Sequence, residues 1–144
     1  MLTVAACLTL AIAPQFADKT SELGLQIGTD AACWVDLDRD GWTDLVAGGV
    51  VWLNDGGMRF TSVAQVGQAV AADFDNDGYP DLFSWSRGKL FRSEKGKSFV
   101  DFPLPSEFET LSRGACWGDW NGDGFVDLYV GGYENYLPEL HSHE

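Results

Sequence analysis

The chain has 144 residues, 45% of them apolar and 13% aromatic, a globular composition that can support a core. Its formal net charge of −13 argues against docking on nucleic acid or anionic lipid, which would repel it. The acidity is local, since 11 of the 15 aspartates fall in three short segments, and this reads as carboxylates gathered around cations.

Residues 1–13, M-L-T-V-A-A-C-L-T-L-A-I-A, are apolar and end in A-x-A, the layout of a secretory signal and its cleavage site. The run is too short to be a transmembrane span. It departs from the pattern in two ways: the first basic residue is Lys19, and Pro14 would follow the cut. A lipoprotein signal at V-A-A-C (4–7) and a buried first strand are the alternatives. The expected localisation is secreted, periplasmic or cell surface.

The remainder, 14–132, is a repeat region. Residues 16–25, F-A-D-K-T-S-E-L-G-L, resemble the last strand of a unit whose earlier strands are missing. A first complete unit then runs through A-A-C-W-V (31–35), the acidic loop D-L-D-R-D-G-W-T-D-L (36–45), D-L-V-A-G-G (44–49), V-V-W-L-N (50–54), the turn D-G-G (55–57) and M-R-F-T-S-V (58–63). A second follows with A-V-A-A (69–72), D-F-D-N-D-G-Y-P-D-L (73–82), D-L-F-S-W-S (81–86), K-L-F-R-S (89–93), the turn E-K-G-K (94–97) and S-F-V-D-F (98–102). A third has only G-A-C-W-G (114–118), D-W-N-G-D-G-F-V-D-L (119–128) and D-L-Y-V-G-G (127–132).

Each unit is a set of short runs of β-branched and aromatic residues separated by Gly, Asn and Asp turns, and no stretch sustains a helical period. The expected fold is all-β, with β-propeller-type four-stranded antiparallel blades in about three repeats, a partial or open propeller. Eleven strands are predicted: one leading strand, two whole units, and two strands of a third. Residues 133–144 are a tail or a truncated blade, and His141 and His143 belong to it. The second strand of the third unit is an open edge and a place for self-association.

The loops carry the chemistry. Positions 1, 3 and 5 put short oxygen side chains on the inside of a tight turn: Asp36, Asp38 and Asp40; Asp73, Asp75 and Asp77; Asp119, Asn121 and Asp123. Position 6 is Gly41, Gly78 or Gly124, where the turn needs a backbone that a Cβ resists. Position 7, Trp42, Tyr79 or Phe125, would offer a backbone carbonyl. Position 9, Asp44, Asp81 or Asp127, returns a carboxylate as the next strand begins. About five oxygen ligands per loop, completed by water, suit Ca²⁺ better than zinc, copper or Mg²⁺, with up to three ions expected. An EF-hand is rejected, because its position 12 needs Glu and here is Ala47, Ser84 or Val130, without flanking helices. The plainer alternative is that Asp and Asn only shape turns; three loops in register, each followed by Leu, are poorly explained that way. The third loop, with Asn121, is the weakest.

Other residues suggest less. Cys7, Cys33 and Cys116 show no C-x-x-C spacing, and Cys33 and Cys116, at equivalent places in non-neighbouring units, are expected to be buried, unpaired thiols. Trp34 and Trp117 are expected to pack between strands, as are Trp52 and Trp85, whereas Trp42, Tyr79 and Phe125 are expected to be partly exposed. No nucleophile–base motif or phosphate loop occurs.

The pattern W-x-D-x-[DN]-x-D-G-x-x-D-L, followed by L-N-D-G-G (53–57) and a Phe strand, resembles the FG-GAP/VCBS repeat family over residues 16–132. The opening F-A-D-K-T and the segment D-L-Y-V-G-G-Y-E (127–134) look like bacterial relatives of cartilage acidic protein, and integrin α-subunit heads are more distant relatives. The resemblance implies a seven-bladed propeller with Ca²⁺ in outward loops, working outside the cell in adhesion or recognition; this chain departs from it in having about three repeats. The function expected is an extracellular calcium-binding module for adhesion, recognition or scaffolding, with a protein or carbohydrate ligand and no catalysis. A fragment of a carbohydrate-active enzyme of the polysaccharide-lyase type would need basic residues beside a groove, for which Arg87–Lys97 is the one mild cluster. A truncated, non-functional gene remnant is the third reading.

Overall fold

The computed structural model describes residues 16–28, 31–104 and 112–132. The expected signal at 1–13 and the tail at 133–144 lie outside them. The described residues form ten strands and no helix: β1 (Ala32–Val35), β2 (Asp44–Ala47), β3 (Val50–Asp55), β4 (Arg59–Gln65), β5 (Ala69–Ala72), β6 (Asp81–Ser84), β7 (Lys89–Ser93), β8 (Phe99–Phe102), β9 (Ser112–Gly118) and β10 (Asp127–Gly132). They are ordered β1-β2-β3-β4, β5-β6-β7-β8 and β10-β9, with every pairing antiparallel. These are two complete four-stranded blades and the first half of a third, as the repeat predicts.

Each acidic loop is the connection between a blade's first two strands. The last cross-strand pair before it is Val35–Asp44, Ala72–Asp81 or Gly118–Asp127, so the position-9 aspartate sits opposite the residue preceding position 1. The blades stack through their first strands, with β5 lying against β1 on one side and β9 on the other. Between the first two blades the core is Leu37, Val46, Val51, Val66, Ala69, Leu82 and Phe91, with Cys33 and Ala71 packed on it. These residues come from five strands and from the first loop and the segment after β4, and their shared burial is what holds one blade to the next. Between the second and third blades Trp117 meets Phe83 edge-on, 6.4 Å between ring centroids, and donates its indole N–H to the Val70 carbonyl at 3.3 Å.

Three expectations are corrected. Residues 16–25 are not a strand. The Asp18 carboxylate accepts the Thr20 N–H at 2.9 Å, and the Leu25 and Gly24 N–H groups bond back to the carbonyls of Thr20 and Ser21, the signature of a helical turn being terminated. This turn leads Leu23, Leu25 and Ile27 onto Leu45, Ala47, Phe60 and Trp52, covering the outer face of the first blade, and the Leu23 carbonyl accepts the Phe60 N–H at 2.9 Å. Trp34 does not pack between strands: it is 62% exposed, tilted against Phe60, because the described residues place no blade on that side to receive it as Phe83 receives Trp117. Cys116 is exposed rather than buried, while Cys33 is half-buried with its thiol toward the Ala69 carbonyl and its pKa raised by burial. Both are free thiols.

The turn joining β7 and β8 is seated on the first acidic loop. A Cβ added at Gly96, where φ is 73°, would lie 2.5 Å from the backbone of Asp38 and from the Leu37 carbonyl. At Gly56 (φ 62°), one residue before Gly57, the first blade's equivalent of Gly96, an added Cβ would meet open space. Both changes carry the cost of a left-handed backbone, about 1 kcal/mol, but only Gly96→Ala must also push two backbones apart. In urea denaturation with calcium present, Gly96→Ala is expected to cost at least about 2 kcal/mol more than Gly56→Ala. Equal losses would contradict the seating of this turn on the loop.

Candidate metal centre

The three loops share one hydrogen-bond pattern. The position-6 N–H donates to the position-1 carboxylate: Gly41 to Asp36 at 3.1 Å, Gly78 to Asp73 at 2.8 Å and Gly124 to Asp119 at 3.0 Å. The position-7 N–H donates to position 5: Trp42 to Asp40, Tyr79 to Asp77 and Phe125 to Asp123, at 2.8–2.9 Å. The position-5 N–H donates to position 3: Asp40 to Asp38, Asp77 to Asp75 and Asp123 to Asn121. These are turns closed by Asp and Asn side chains, and they fold each loop back so that its oxygens converge. The position-6 glycines sit at φ 89–96°, as the sharp turn requires.

The position-9 aspartates do something different. Asp44 is 1% exposed and Asp81 is fully buried. One oxygen of Asp44 accepts the Leu37 N–H and the other the Asn54 N–H, both at 2.8 Å. Asp81 repeats this with Phe74 at 3.1 Å and Ser93 at 2.7 Å. Each carboxylate therefore braces the start of its loop to the third strand of its blade. Asp127 makes the first of these bonds, to the Trp120 N–H at 3.2 Å, and is half-buried. Burial raises the pKa of Asp44, and pushes that of Asp81 up to about 6; the two backbone N–H bonds on each oppose the shift but do not cancel it, and the neighbouring loop carboxylates add to it. Asp119 goes the other way, lowered first by the Gly124 N–H, because its loop is open to water.

Two carboxylate groups among the described residues are gathered closely enough to hold a metal ion: Asp36, Asp38 and Asp40, and Asp73, Asp75 and Asp81. In each, one oxygen per residue lies within 4.8 Å of the others. Asp36 Oδ1 is fully buried with no hydrogen-bond partner among the described residues, a position that a cation or an ordered water would satisfy. Of the other predicted ligands, Asp44 lies outside the first group and Asp77 outside the second. Asp119, Asn121, Asp123 and Asp127 form no such group, and Asn121 donates instead to Asp123 at 3.0 Å. Trp42 and Phe125 are about half exposed and Tyr79 is half-buried.

Residues outside the predicted ligand set complete the site. Arg39, at position 4, donates to the Gly78 carbonyl of the next loop at 2.7 Å, and Asn76, at the same position of the second loop, donates to the Gly124 carbonyl at 3.1 Å. Both have left-handed backbones, φ 61° and 56°, which aim the side chain at the following blade. The third loop has Gly122 there, with no side chain to extend. Asn54 and Ser93 supply the second brace to Asp44 and Asp81. Their only sequence signal is their common place at the end of the third strand, one before the Gly-containing turn.

Asp44→Ala would strand the Leu37 and Asn54 N–H groups. At roughly 1–3 kcal/mol for each unsatisfied donor, the expected loss is about 2–6 kcal/mol, enough to abolish cooperative unfolding in a chain of this size. Far- and near-ultraviolet circular dichroism through a urea series would measure it. A variant as stable as wild type would show that the brace is dispensable.

A family model described as FG-GAP-like repeat matches residues 36–84 and 73–130, each match spanning from one acidic loop into the strand beyond the next. The chain has no significant match among curated proteins or among solved structures. With the repeat matched over most of its length and the same loop recurring at the head of three antiparallel blades, the chain belongs to the FG-GAP-like repeat family.

Proposed function

We propose that this chain is a calcium-binding repeat module that works outside the cell in adhesion, recognition or scaffolding. The observation that carries the reading is the gathering of Asp36, Asp38 and Asp40, of which Asp36 has a buried carboxylate oxygen with no hydrogen-bond partner among the described residues. A bare cluster of this kind suffers like-charge repulsion and an unpaired buried acceptor, and one divalent cation relieves both. All the candidate donors are hard oxygens, which favours Ca²⁺ over zinc or copper.

In this reading the first ion is held by Asp36, Asp38, Asp40 and the Trp42 carbonyl, with Asp44 bracing the loop behind them. The second is held by Asp73, Asp75, Asp81 and the Tyr79 carbonyl, with Asp77 available. A third, weaker ion falls to Asp119, Asn121, Asp123, Asp127 and the Phe125 carbonyl. When bound, calcium supplies positive charge and cross-links loop to strand; the chain itself supplies the turn, the brace and the contact between blades. The exposed ring faces of Trp42 and Phe125, beside the loops, are where a protein or carbohydrate ligand would be met. Export is supported by the apolar run that ends in A-x-A at residue 13.

A binding role is favoured over polysaccharide cleavage by the fate of the basic cluster. Arg87 donates to the Gln65 carbonyl, Lys89 pairs with Asp101, and Arg92 pairs with Asp75, so three of the cluster's five cations have partners within the chain, leaving Lys95 and Lys97 exposed. Calorimetric titration of the chain with Ca²⁺ tests the proposal. Saturable binding of at least two ions is expected at up to millimolar calcium, one of them lost in Asp36→Ala, with Mg²⁺ binding more weakly. No heat at millimolar Ca²⁺ would mean that the loops are turns only.

A further inference from the structure

The first two loops carry aspartates at the same four positions, yet the strand residue beside them differs in charge. The residue preceding the brace donor is Leu53 on β3, next to Asn54, and Arg92 on β7, next to Ser93. Leu53 is partly buried against the core between the blades. Arg92 turns its guanidinium toward the second loop, where Nε lies 2.9 Å from Asp75 Oδ2 and Nη2 lies 3.7 Å from Asp77 Oδ2. The carboxylates are also arranged differently. In the first loop positions 1, 3 and 5 are gathered; in the second, position 5, Asp77, lies outside the group and the buried position 9, Asp81, is within it.

We propose that Arg92 is a tethered counter-ion of the second loop, competing there with the divalent cation and making that loop the weaker of the two complete sites. The inference rests on the calcium reading of the loops. A guanidinium stays charged at every relevant pH and holds carboxylates through directed N–H bonds. On Asp75 and Asp77 it relieves repulsion that, in the first loop, no ion pair among the described residues relieves. A calcium ion entering the second loop must share Asp75 with Arg92 or displace it, and the two positive charges repel at short range. Among the described residues the first loop has no such competitor: Leu53 takes the place, and the buried Asp36 oxygen has no hydrogen-bond partner there. The chain thus has a loop that needs calcium beside one that is partly satisfied without it.

Arg92→Leu installs the first blade's residue, and Arg92→Lys keeps the charge. Each should be titrated calorimetrically with Ca²⁺ and melted in chelator, alongside wild type and Asp73→Ala, which removes a ligand of the second loop. Arg92→Leu is expected to tighten the weaker calcium site by about tenfold or more while leaving the tighter site unchanged, and to lower the melting temperature in chelator. Arg92→Lys should stay within a few-fold of wild type, and in the Asp73→Ala background Arg92→Leu should tighten nothing. Calcium binding in wild type with no tightening in Arg92→Leu overturns this inference alone. Absence of calcium binding in wild type and Arg92→Leu alike overturns the calcium reading and this inference with it.

Discussion

A carboxylate with almost no solvent contact closes the head of each complete blade. Asp44 and Asp81 each accept one N–H from the second residue of the loop and one from the end of the blade's third strand. Without that brace the loop would be a long connection between two four-residue strands, and its oxygens would have no fixed positions. With it, the Asx turns of positions 1, 3 and 5 start from an anchored point and converge. Burial opposes the charge on these two residues and raises their pKa values, so the brace is itself held more firmly when positive charge stands nearby. The structural carboxylate and the cation site therefore support each other.

The same loops also join blade to blade. Leu37, the second residue of the first loop, is fully buried in the core between the blades, and Asp38 lies beneath the Gly96 turn of the next blade. Arg39 and Asn76 reach forward to the glycine carbonyl of the following loop. Each of the first two loops thus touches the next through a side chain at position 4. The third loop has Gly122 and an exposed Trp120 where the first has Arg39 and buried Leu37, and it is correspondingly open to water.

The blades were legible in the sequence because their strands are short β-branched and aromatic runs punctuated by Gly, Asn and Asp, and because the D-x-[DN]-x-D-G-x-x-D-L loop marks the same point in each. Ten of the eleven predicted strands are present at nearly the predicted bounds. The exception, residues 16–25, has apolar residues that suggest a strand, but Asp18 followed by Thr20 and a glycine at 24 are the start and stop signals of a helical turn. Trp34 and Trp117 occupy equivalent positions and have different environments, since burial there depends on whether another blade stands alongside. The double role of the position-9 aspartates was not readable either: their second donors, Asn54 and Ser93, lie 10 and 12 residues further along the chain, and only the antiparallel pairing brings them back. Arg92 was visible as a residue of a mild basic cluster, but its partner became clear only with the loop folded.

The central claim is that a bound divalent cation completes loops which the backbone has already shaped. Thermal unfolding of the chain in excess Ca²⁺ and again in chelator tests it most directly. Linkage to two or more ions, each at concentrations well above its dissociation constant, predicts a melting temperature about 10 °C or more higher with calcium, and one cooperative transition for both blades. The same cooperative transition at the same temperature in both conditions would contradict the claim and leave the aspartates as turn-formers alone.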